Sequence, residues 1–303
     1  MKVVNIGSLN IDRTYRVPTF VQPGETMQVE SFAERCGGKG LNQSIALARA
    51  GASVVHVGAV GADGAELVRL LAANGVETGC IETVESPTGH AVIQVTDEGE
   101  NSIIICPGAN GRLSTQPIDR CLDSAGADDI ILLQNETSQV AHVLAAARER
   151  GLMVALNPSP LTEGLLALDL SGVGIFILNE HEAAGMVGAS ESEEPRALVR
   201  KLQRRYPRAA FMLTLGGRGC MWAQEDAAES FPSFGAEAID TTGAGDTFCG
   251  YYLEAVMRHL DAASVLARAS AAASIAIGRP GAAASIPMSS EVDAFLHARG
   301  YRA

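Results

Sequence analysis

Short apolar runs alternate with amphipathic segments along the chain. VVNIGS (3–8), SVVHVGAV (53–60) and IILLQ (130–134) are typical of buried strands, and segments with helical spacing of apolar residues lie between them. This alternation is expected when helices cover both faces of a parallel sheet. It predicts one α/β domain over residues 1–303, with a central, mostly parallel sheet flanked by helices on both faces. Further predicted elements are strands at 152–157, 174–179 and 209–216, and helices at 42–52, 64–74, 139–150 and 262–277.

Two segments break this rhythm, at about 13–35 and 89–106. Both alternate polar and apolar residues without an intervening helix, and the second contains the turn-forming triplet Glu98-Gly99-Glu100. We expect the two segments to pair into a small antiparallel sheet that projects from the main domain. Its apolar face would suit a lid over a ligand or a dimer contact, and an ordinary edge hairpin is the alternative.

Composition narrows the range of partners. Hydrophobic residues make up 47 % and charged residues 19 %, which is enough apolar surface for a buried core. The formal net charge is −12 with no offsetting basic run, and no uncharged apolar stretch reaches the roughly 20 residues that a membrane span needs. We therefore expect no nucleic-acid or membrane partner. Six cysteines without a C-x-x-C pair and six dispersed histidines indicate reduced thiols in a cytoplasm and no zinc site.

The sharpest chemical signal is DTTGAGDTF, at 240–248. Its small residues permit a tight turn that points several N–H groups one way, and the following helix adds positive potential at its N-terminus. Such a turn can bind an anion, and Asp246 at its rim can accept a proton from an attacking hydroxyl. Asp246 as a plain helix cap after a glycine turn is the alternative.

A second glycine cluster, GGKGLNQ at 37–43, precedes a predicted helix. Its glycines permit close approach of the backbone to a ligand, and Lys39 offers a compact positive charge. Asn10 and Asp12, just past the first strand, share one side of an extended segment and could hold adjacent hydroxyls. The simpler interpretations are a flexible loop for the cluster and a turn for the pair.

Two further clusters also follow predicted strands. Asn179 and Glu182 could orient magnesium through water, or could simply cap the next helix. TLGGRG, at 214–219, could form a loop that contacts a nucleotide. Because parallel strands place their carboxyl ends at one edge of a sheet, where open α/β sheets bind ligands, we expect these clusters to converge.

These motifs, in the order GGKGLNQ, QNE, NEHE, TLGGRG and DTTGAGDTF, resemble those of the ribokinase family of carbohydrate kinases. The resemblance extends from GSLNID near the start to GAAASIP near the end. It implies a parallel sheet flanked by helices and a small β-sheet lid that is often used in dimerisation. A homodimer through the lid is therefore expected.

The resemblance also implies roles for individual residues. Asp246 matches the catalytic base, and Gly243, Ala244 and Gly245 match the anion hole. Sugar-binding positions are Asn10, Asp12, Gly38, Lys39, Asn42, Glu136 and Asp246. Nucleotide-contacting positions are Asn179, Thr214, Gly216, Gly219, Gly245 and Ser270. Metal positions are Asn179 and Glu182 for magnesium, through water, and Asp240, Thr242, Ala276, Arg279, Gly281 and Ser285 for potassium.

The reaction implied by the resemblance is phosphoryl transfer from ATP, with Mg²⁺ and K⁺, to the primary hydroxyl of a small sugar. Ribose, giving ribose 5-phosphate, is the expected acceptor, because GGKGLN differs from the GGAxAN of fructokinase-like members. The named sites are also polar, whereas a nucleoside base needs an apolar surface. Deoxyribose, fructose or a nucleoside remain alternative acceptors. A non-catalytic sugar-binding regulator is the alternative outside the enzymes.

Overall fold

The computed structural model describes residues 1–301, which form thirteen strands and ten α-helices. The strands are β1 (Val3–Ile6), β2 (Asn10–Arg16), β3 (Ser31–Gly37), β4 (Val54–Val60), β5 (Glu77–Thr83), β6 (Gly89–Val95), β7 (Asn101–Cys106), β8 (Ile130–Gln134), β9 (Met153–Asn157), β10 (Val173–Asn179), β11 (Ala210–Thr214), β12 (Cys220–Gln224) and β13 (Ala227–Phe231). The helices are α1 (Lys39–Ala50), α2 (Ala65–Ala73), α3 (Thr115–Asp123), α4 (Val140–Glu149), α5 (Glu163–Leu166), α6 (Glu180–Val187), α7 (Pro195–Arg205), α8 (Ala244–Met257), α9 (Ala262–Ile277) and α10 (Ser289–His297).

A nine-stranded sheet has the order β13-β12-β11-β10-β9-β8-β1-β4-β5. The seven strands from β11 to β5 run parallel, and β12 and β13 add an antiparallel edge. In the centre, Val3 of β1 is paired with Val54 on one side and Ile130 on the other. The predicted mostly parallel sheet is confirmed.

Helices cover both faces of this sheet. The apolar residues of α1, α2, α8, α9 and α10 pack on one face, and those of α3, α4, α6 and α7 pack on the other. Neighbouring residues of β1 show the division, since Val3 belongs to the first core and Val4 to the second. Strands buried on both faces explain why the sequence shows continuous apolar runs.

A separate small sheet has the order β3-β2-β6-β7. It contains the two segments that break the rhythm, and its β6–β7 turn places Gly99 at φ 82°, as the hairpin prediction requires. Two expectations were wrong. The central strands β2 and β6 run parallel, with Asn10 opposite Gly89, so the sheet is mixed instead of antiparallel. Strand β2 also begins at Asn10, three residues before the predicted start, and therefore carries Asn10 and Asp12.

Candidate active site

A polar cleft of about 330 Å³ lies between the small sheet and the carboxyl ends of the main parallel strands. The small sheet contributes apolar side chains, including Ile93, Ile103 and Ile105, and the main sheet contributes mostly polar ones. All seven predicted sugar-binding residues line this cleft: Asn10, Asp12, Gly38, Lys39, Asn42, Glu136 and Asp246. The sequence clusters therefore converge, as the topology of an open α/β sheet predicts.

Asp246 is the third residue of α8, which begins after Gly243 in a left-handed conformation, at φ 74°. Each carboxylate oxygen accepts one amide hydrogen bond: Asn42 Nδ2 donates to Oδ2 at 3.0 Å, and Gln43 Nε2 donates to Oδ1 at 2.9 Å. Burial raises the pKa of Asp246 to about 6, and the two amide donors and the Lys39 charge oppose that rise. The carboxylate is therefore ionised at neutral pH and is suited to accept a proton.

The predicted anion hole lies at the N-terminus of α8. A helix leaves its first N–H groups without partners inside the helix, and the macrodipole places positive potential there. The Ala244 N–H already donates to the Thr241 carbonyl at 3.2 Å. The Ala244 N–H is therefore already engaged, and an anion at this turn would bind the N–H groups that have no partner.

Lys39 and Glu136 form an ion pair at the floor of the cleft, with Nζ 2.8 Å from Oε1. Glu136 also accepts hydrogen bonds from Ser8 Oγ and from the Lys39 N–H. Burial lowers the pKa of Lys39, but the charge and the hydrogen bond of Glu136, together with the charges of Asp246 and Glu182, raise that pKa overall. The ammonium is thus held charged next to the cleft.

Asp12 and Asn42 present acceptors to the cleft. Burial, reinforced by the Glu136 charge, raises the pKa of Asp12 to about 6, while Lys39 acts in the opposite direction. Asn42 Oδ1 is buried and has no hydrogen-bond partner within residues 1–301. A buried acceptor without a partner is costly unless a ligand satisfies it, so this atom suits a ligand hydroxyl.

A second cleft of about 410 Å³ adjoins the first and is lined mainly by small and apolar side chains. Phe248 and Ile277 provide apolar surface there, which suits a heteroaromatic ring. Five of the six predicted nucleotide-contacting residues line it, namely Thr214, Gly216, Gly219, Gly245 and Ser270, while Asn179 lines the first cleft. Thr214 and Gly245 border both clefts.

Asn179 and Glu182 form a reciprocal cap at the start of α6. Asn179 Oδ1 accepts from the Glu182 N–H at 2.8 Å, and Glu182 Oε2 accepts from the Asn179 N–H at 3.0 Å. The capping interpretation of this pair is therefore confirmed. Both residues also line the first cleft. No cluster of three or more His, Cys, Asp or Glu side chains suited to a metal occurs in the described part of the chain. Two oxygen-bearing side chains still fit Mg²⁺, which retains most of its waters.

Five of the six residues expected to surround potassium lie on two adjoining loops, and Ala276 lies near the end of α9. Asp240 joins them, because its carboxylate accepts the N–H of Thr242 at 2.9 Å and that of Gly281 at 2.8 Å. Two of the other expected side chains are engaged elsewhere: Arg279 pairs with Glu291 at 2.5 Å, and Ser285 Oγ donates to the Ala282 carbonyl at 2.8 Å. Backbone carbonyls are therefore the groups left for an ion at these loops.

Sequence reasoning missed several residues of the site. Asn157, the last residue of β9, and Ser159, just after that strand, line the first cleft, and Gln43 contacts Asp246 directly. Asn110, which follows β7, donates to Asn10 Oδ1 at 2.8 Å and so fixes the orientation of the Asn10 amide. The position of Asn157 after an apolar run was a usable signal. No local sequence pattern indicated the contacts that Gln43 and Asn110 make with distant segments.

The fold and the two joined clefts define a ribokinase-like α/β protein. A solved structure of Arabidopsis thaliana ribokinase, complexed with ribose and ATP, matches with a TM-score of 0.86 at 28 % identity, covering 97 % of this chain and 98 % of that one. The ribokinase of Haemophilus influenzae is 35 % identical over an alignment of 301 positions, which covers 96 % of this chain and 97 % of that protein. The deoxyribokinase of Salmonella typhi is 30 % identical over an alignment of 306 positions, which covers 98 % of this chain and 99 % of that protein.

The sequence profile of the pfkB family of carbohydrate kinases matches residues 1–288, and the chain belongs to that family. The predicted family and its enzyme class, a carbohydrate kinase, are thereby confirmed. Within residues 1–301, no helix has the length and apolar character to cross a bilayer.

Proposed function

We propose that the protein transfers the γ-phosphoryl group of ATP to the primary hydroxyl of ribose. Asp246 takes the proton of that hydroxyl while its oxygen bonds to the γ-phosphorus, and ADP leaves with the bridging oxygen. The Haemophilus ribokinase supports ribose as the acceptor. The Arabidopsis complex, which contains ribose and ATP, supports both substrates.

One observation carries this proposal: Asp246 lies where the two clefts meet. Gly245, its neighbour, borders both, and Asp246 itself faces the polar cleft with both oxygens held by amides. A sugar in the polar cleft and a nucleotide in the apolar one would bring hydroxyl and γ-phosphate together beside a carboxylate. Proximity of this kind is the main contribution that a protein makes to phosphoryl transfer.

The N-terminus of α8 and the metal ions would stabilise charge on the phosphoryl oxygens. We assign Mg²⁺ to Asn179 and Glu182, acting through water, because Mg²⁺ prefers oxygen ligands and both residues face the polar cleft. We assign K⁺ to the two loops joined by Asp240, where backbone carbonyls would bind it. When bound, Mg²⁺ neutralises charge on the phosphates and K⁺ supports the loop beside the helix terminus.

We also propose that the small sheet closes over the sugar and forms a homodimer contact. Ile103 and Ile105 line the polar cleft, whereas Ile104, between them on the opposite face of β7, is 65 % exposed. Phe32, on the far edge of the same sheet, is 53 % exposed and packs against Tyr15. Large exposed apolar side chains on one sheet favour burial against another protein surface.

The requirement for ATP and six cysteines without disulfides support a cytoplasmic location.

The first test is ADP release from purified protein with MgATP and KCl across ribose, deoxyribose, fructose and several nucleosides. Preference for ribose is expected, and deoxyribose is the closest competitor because a deoxyribokinase is among the relatives. Activity on another acceptor only would overturn ribose but retain the phosphoryl chemistry. No ADP release with any acceptor would favour a non-catalytic sugar-binding protein.

The role of Asp246 is tested by Asp246→Asn, which keeps the shape but removes the base. We expect kcat to fall by a factor on the order of 10² or more, with ribose affinity changed little. Isothermal titration measures the second quantity independently of turnover. Near-wild-type kcat in this variant would remove Asp246 from its assigned role.

A further inference from the structure

A buried chain of three carboxamides leads to the proposed base. It consists of Asn5 on β1, Gln134 at the end of β8 and Gln43 on α1, and each of these side chains is 0 % exposed. Gln134 Nε2 donates to Asn5 Oδ1 at 2.9 Å and to Gln43 Oε1 at 2.7 Å. Gln43 Nε2 then donates to Asp246 Oδ1 at 2.9 Å. We call these three residues the amide chain.

The direction of every amide in the chain is determined at its far end. Asn5 Nδ2 donates to the Gly40 carbonyl at 2.9 Å, and a backbone carbonyl can only accept. Asn5 must therefore turn its oxygen towards Gln134, which must present N–H groups to Asn5 and to Gln43. Gln43 is left with its oxygen occupied and its N–H groups directed at Asp246.

A second, independent contact fixes the same orientation of Gln43. Asn157 Nδ2 donates to the Ile177 carbonyl at 2.9 Å, which leaves Asn157 Oδ1 facing Gln43. Gln43 Nε2 donates to that oxygen at 3.2 Å as well as to Asp246. Reversing the Gln43 amide would bring its oxygen against Asn157 Oδ1 and Asp246 Oδ1 in a buried space, which is strongly unfavourable.

We propose that Gln43 is a positioning residue for the reaction: its amide, locked by Gln134 and Asn157, holds the Asp246 carboxylate in place and stabilises its ionised form. This inference rests on the proposed function of Asp246 as the base. Asn42 holds the other oxygen but also faces the cleft, so it is available to the sugar. Gln43 is fully buried and does not line the cleft, so its amide acts on the carboxylate and not on the sugar.

The proposal predicts a change in the pH dependence of turnover, since a lost donor raises the pKa of a carboxyl group. Other ionisable groups lie around Asp246: Lys39 and Glu136 across the cleft, Asp12 on β2, Glu182 on α6, and the Cys249 thiol on α8 itself. All of them remain when Gln43 is changed. A comparison of the variant with the wild type therefore isolates the amide.

The test compares kcat from pH 5 to 9 at saturating sugar for the wild type and Gln43→Met, which removes both polar atoms at similar length. We expect the acid limb of the pH–rate profile, where kcat falls as the base is protonated, to move to higher pH by roughly one unit. The plateau value of kcat should be roughly tenfold below that of the wild type, and KM for the sugar should stay within about twofold of the wild-type value. Gln134→Met is expected to shift the limb less in the same direction. The double variant should match Gln43→Met alone, because both changes act through one hydrogen bond.

Ser44→Ala is the matched control, since Ser44 is the next residue of α1, is equally buried, and accepts from Asn5 at 2.8 Å without contacting Asp246. Its acid limb should equal that of the wild type. An acid limb at the wild-type pH in Gln43→Met would overturn the inference, and so would a raised KM with no other change. Neither outcome would affect the proposed function, which is tested separately by the activity of the wild type and by the loss of activity in Asp246→Asn. If Gln43→Met does not fold, an unshifted limb in Gln134→Met decides in the same way.

Discussion

Replacing Gly37 with alanine is expected to displace Asp12 from the sugar. Gly37 ends β3 opposite Asn10, and a Cβ at Gly37 would lie 2.0 Å from Asp12 Oδ2 and 2.5 Å from its Cγ. Ordinary contact begins at 3.4 Å, so the carboxylate must retreat by about 1.4 Å. Gly37 does not have positive φ, so the main chain itself accepts alanine.

The size of the effect follows from that displacement. A hydrogen bond of about 2.8 Å lengthened by about 1.4 Å is no longer a hydrogen bond. A bond to a charged group contributes about 1.5–3 kcal/mol, which corresponds to about 10- to 150-fold in a dissociation constant. We expect KM for ribose to rise within that range, while kcat at saturating sugar changes by less than about threefold, because the clash does not involve Asp246 or its two amide donors.

The assay is steady-state kinetics with ribose, accompanied by circular dichroism and thermal melting. Gly79→Ala is the matched control, since a Cβ at Gly79, in strand β5, meets nothing within 4 Å. In an Asp12→Ala background, Gly37→Ala should add nothing, because the clashing carboxylate is gone. A folded Gly37→Ala protein with KM within twofold of the wild type would refute the placement of Asp12 on the sugar.

Three further predictions concern turnover, assembly and stability. Because burial raises the pKa of Asp246 to about 6, its ionised fraction falls as pH drops through that value, and kcat at pH 5 should be about one tenth of its plateau; a flat pH–rate profile down to pH 5 would contradict this. Ile104→Glu places charge on the exposed face of β7 and should convert a dimer into a monomer in analytical ultracentrifugation, so an unchanged sedimentation coefficient would count against the contact. Gly250→Ala puts a Cβ 2.4 Å from that of Ala46 where α1 and α8 pack, and should lower the free energy of unfolding by about 1–3 kcal/mol in urea titrations, whereas Gly79→Ala should leave it unchanged.

Much of the fold could be predicted from the apolar runs, because buried parallel strands leave a continuous signal. Strand β5, with the sequence ETGCIET, gave no such run, since it lies at the edge of the sheet and four of its seven residues are polar. The antiparallel hairpin β12–β13 was missed for a similar reason. The small sheet was expected, but its central parallel pairing was not. Alternation reveals which residues share a face and does not reveal which strand pairs with which.

For the site, the sequence predicted which residues line the cleft but not how they are hydrogen-bonded to one another. Motif positions placed Asp12, Lys39 and Glu136 in one cleft, although their roles towards a ligand stay predictions. Gln43 lies inside a recognised motif, yet its contact with Asp246 depends on Gln134, 91 residues further along the chain. A local pattern carries no information about such a partner. Hydrogen bonds between distant segments are therefore the part of a site that sequence reasoning finds last.

The position of strand β2 bears on how the acceptor preference of the protein could be redesigned. It carries Asn10 and Asp12, and the neighbouring strands β6 and β7 supply the apolar wall of the same cleft. Asp246, by contrast, lies on α8 in the main domain. Transplanting residues 10–37 and 89–106 from a relative with another acceptor would exchange the contacts of Asn10 and Asp12 together with the apolar wall. The proposed base would stay in the recipient together with Lys39, Asn42 and Glu136, so part of the acceptor site can be exchanged without altering the residues around Asp246.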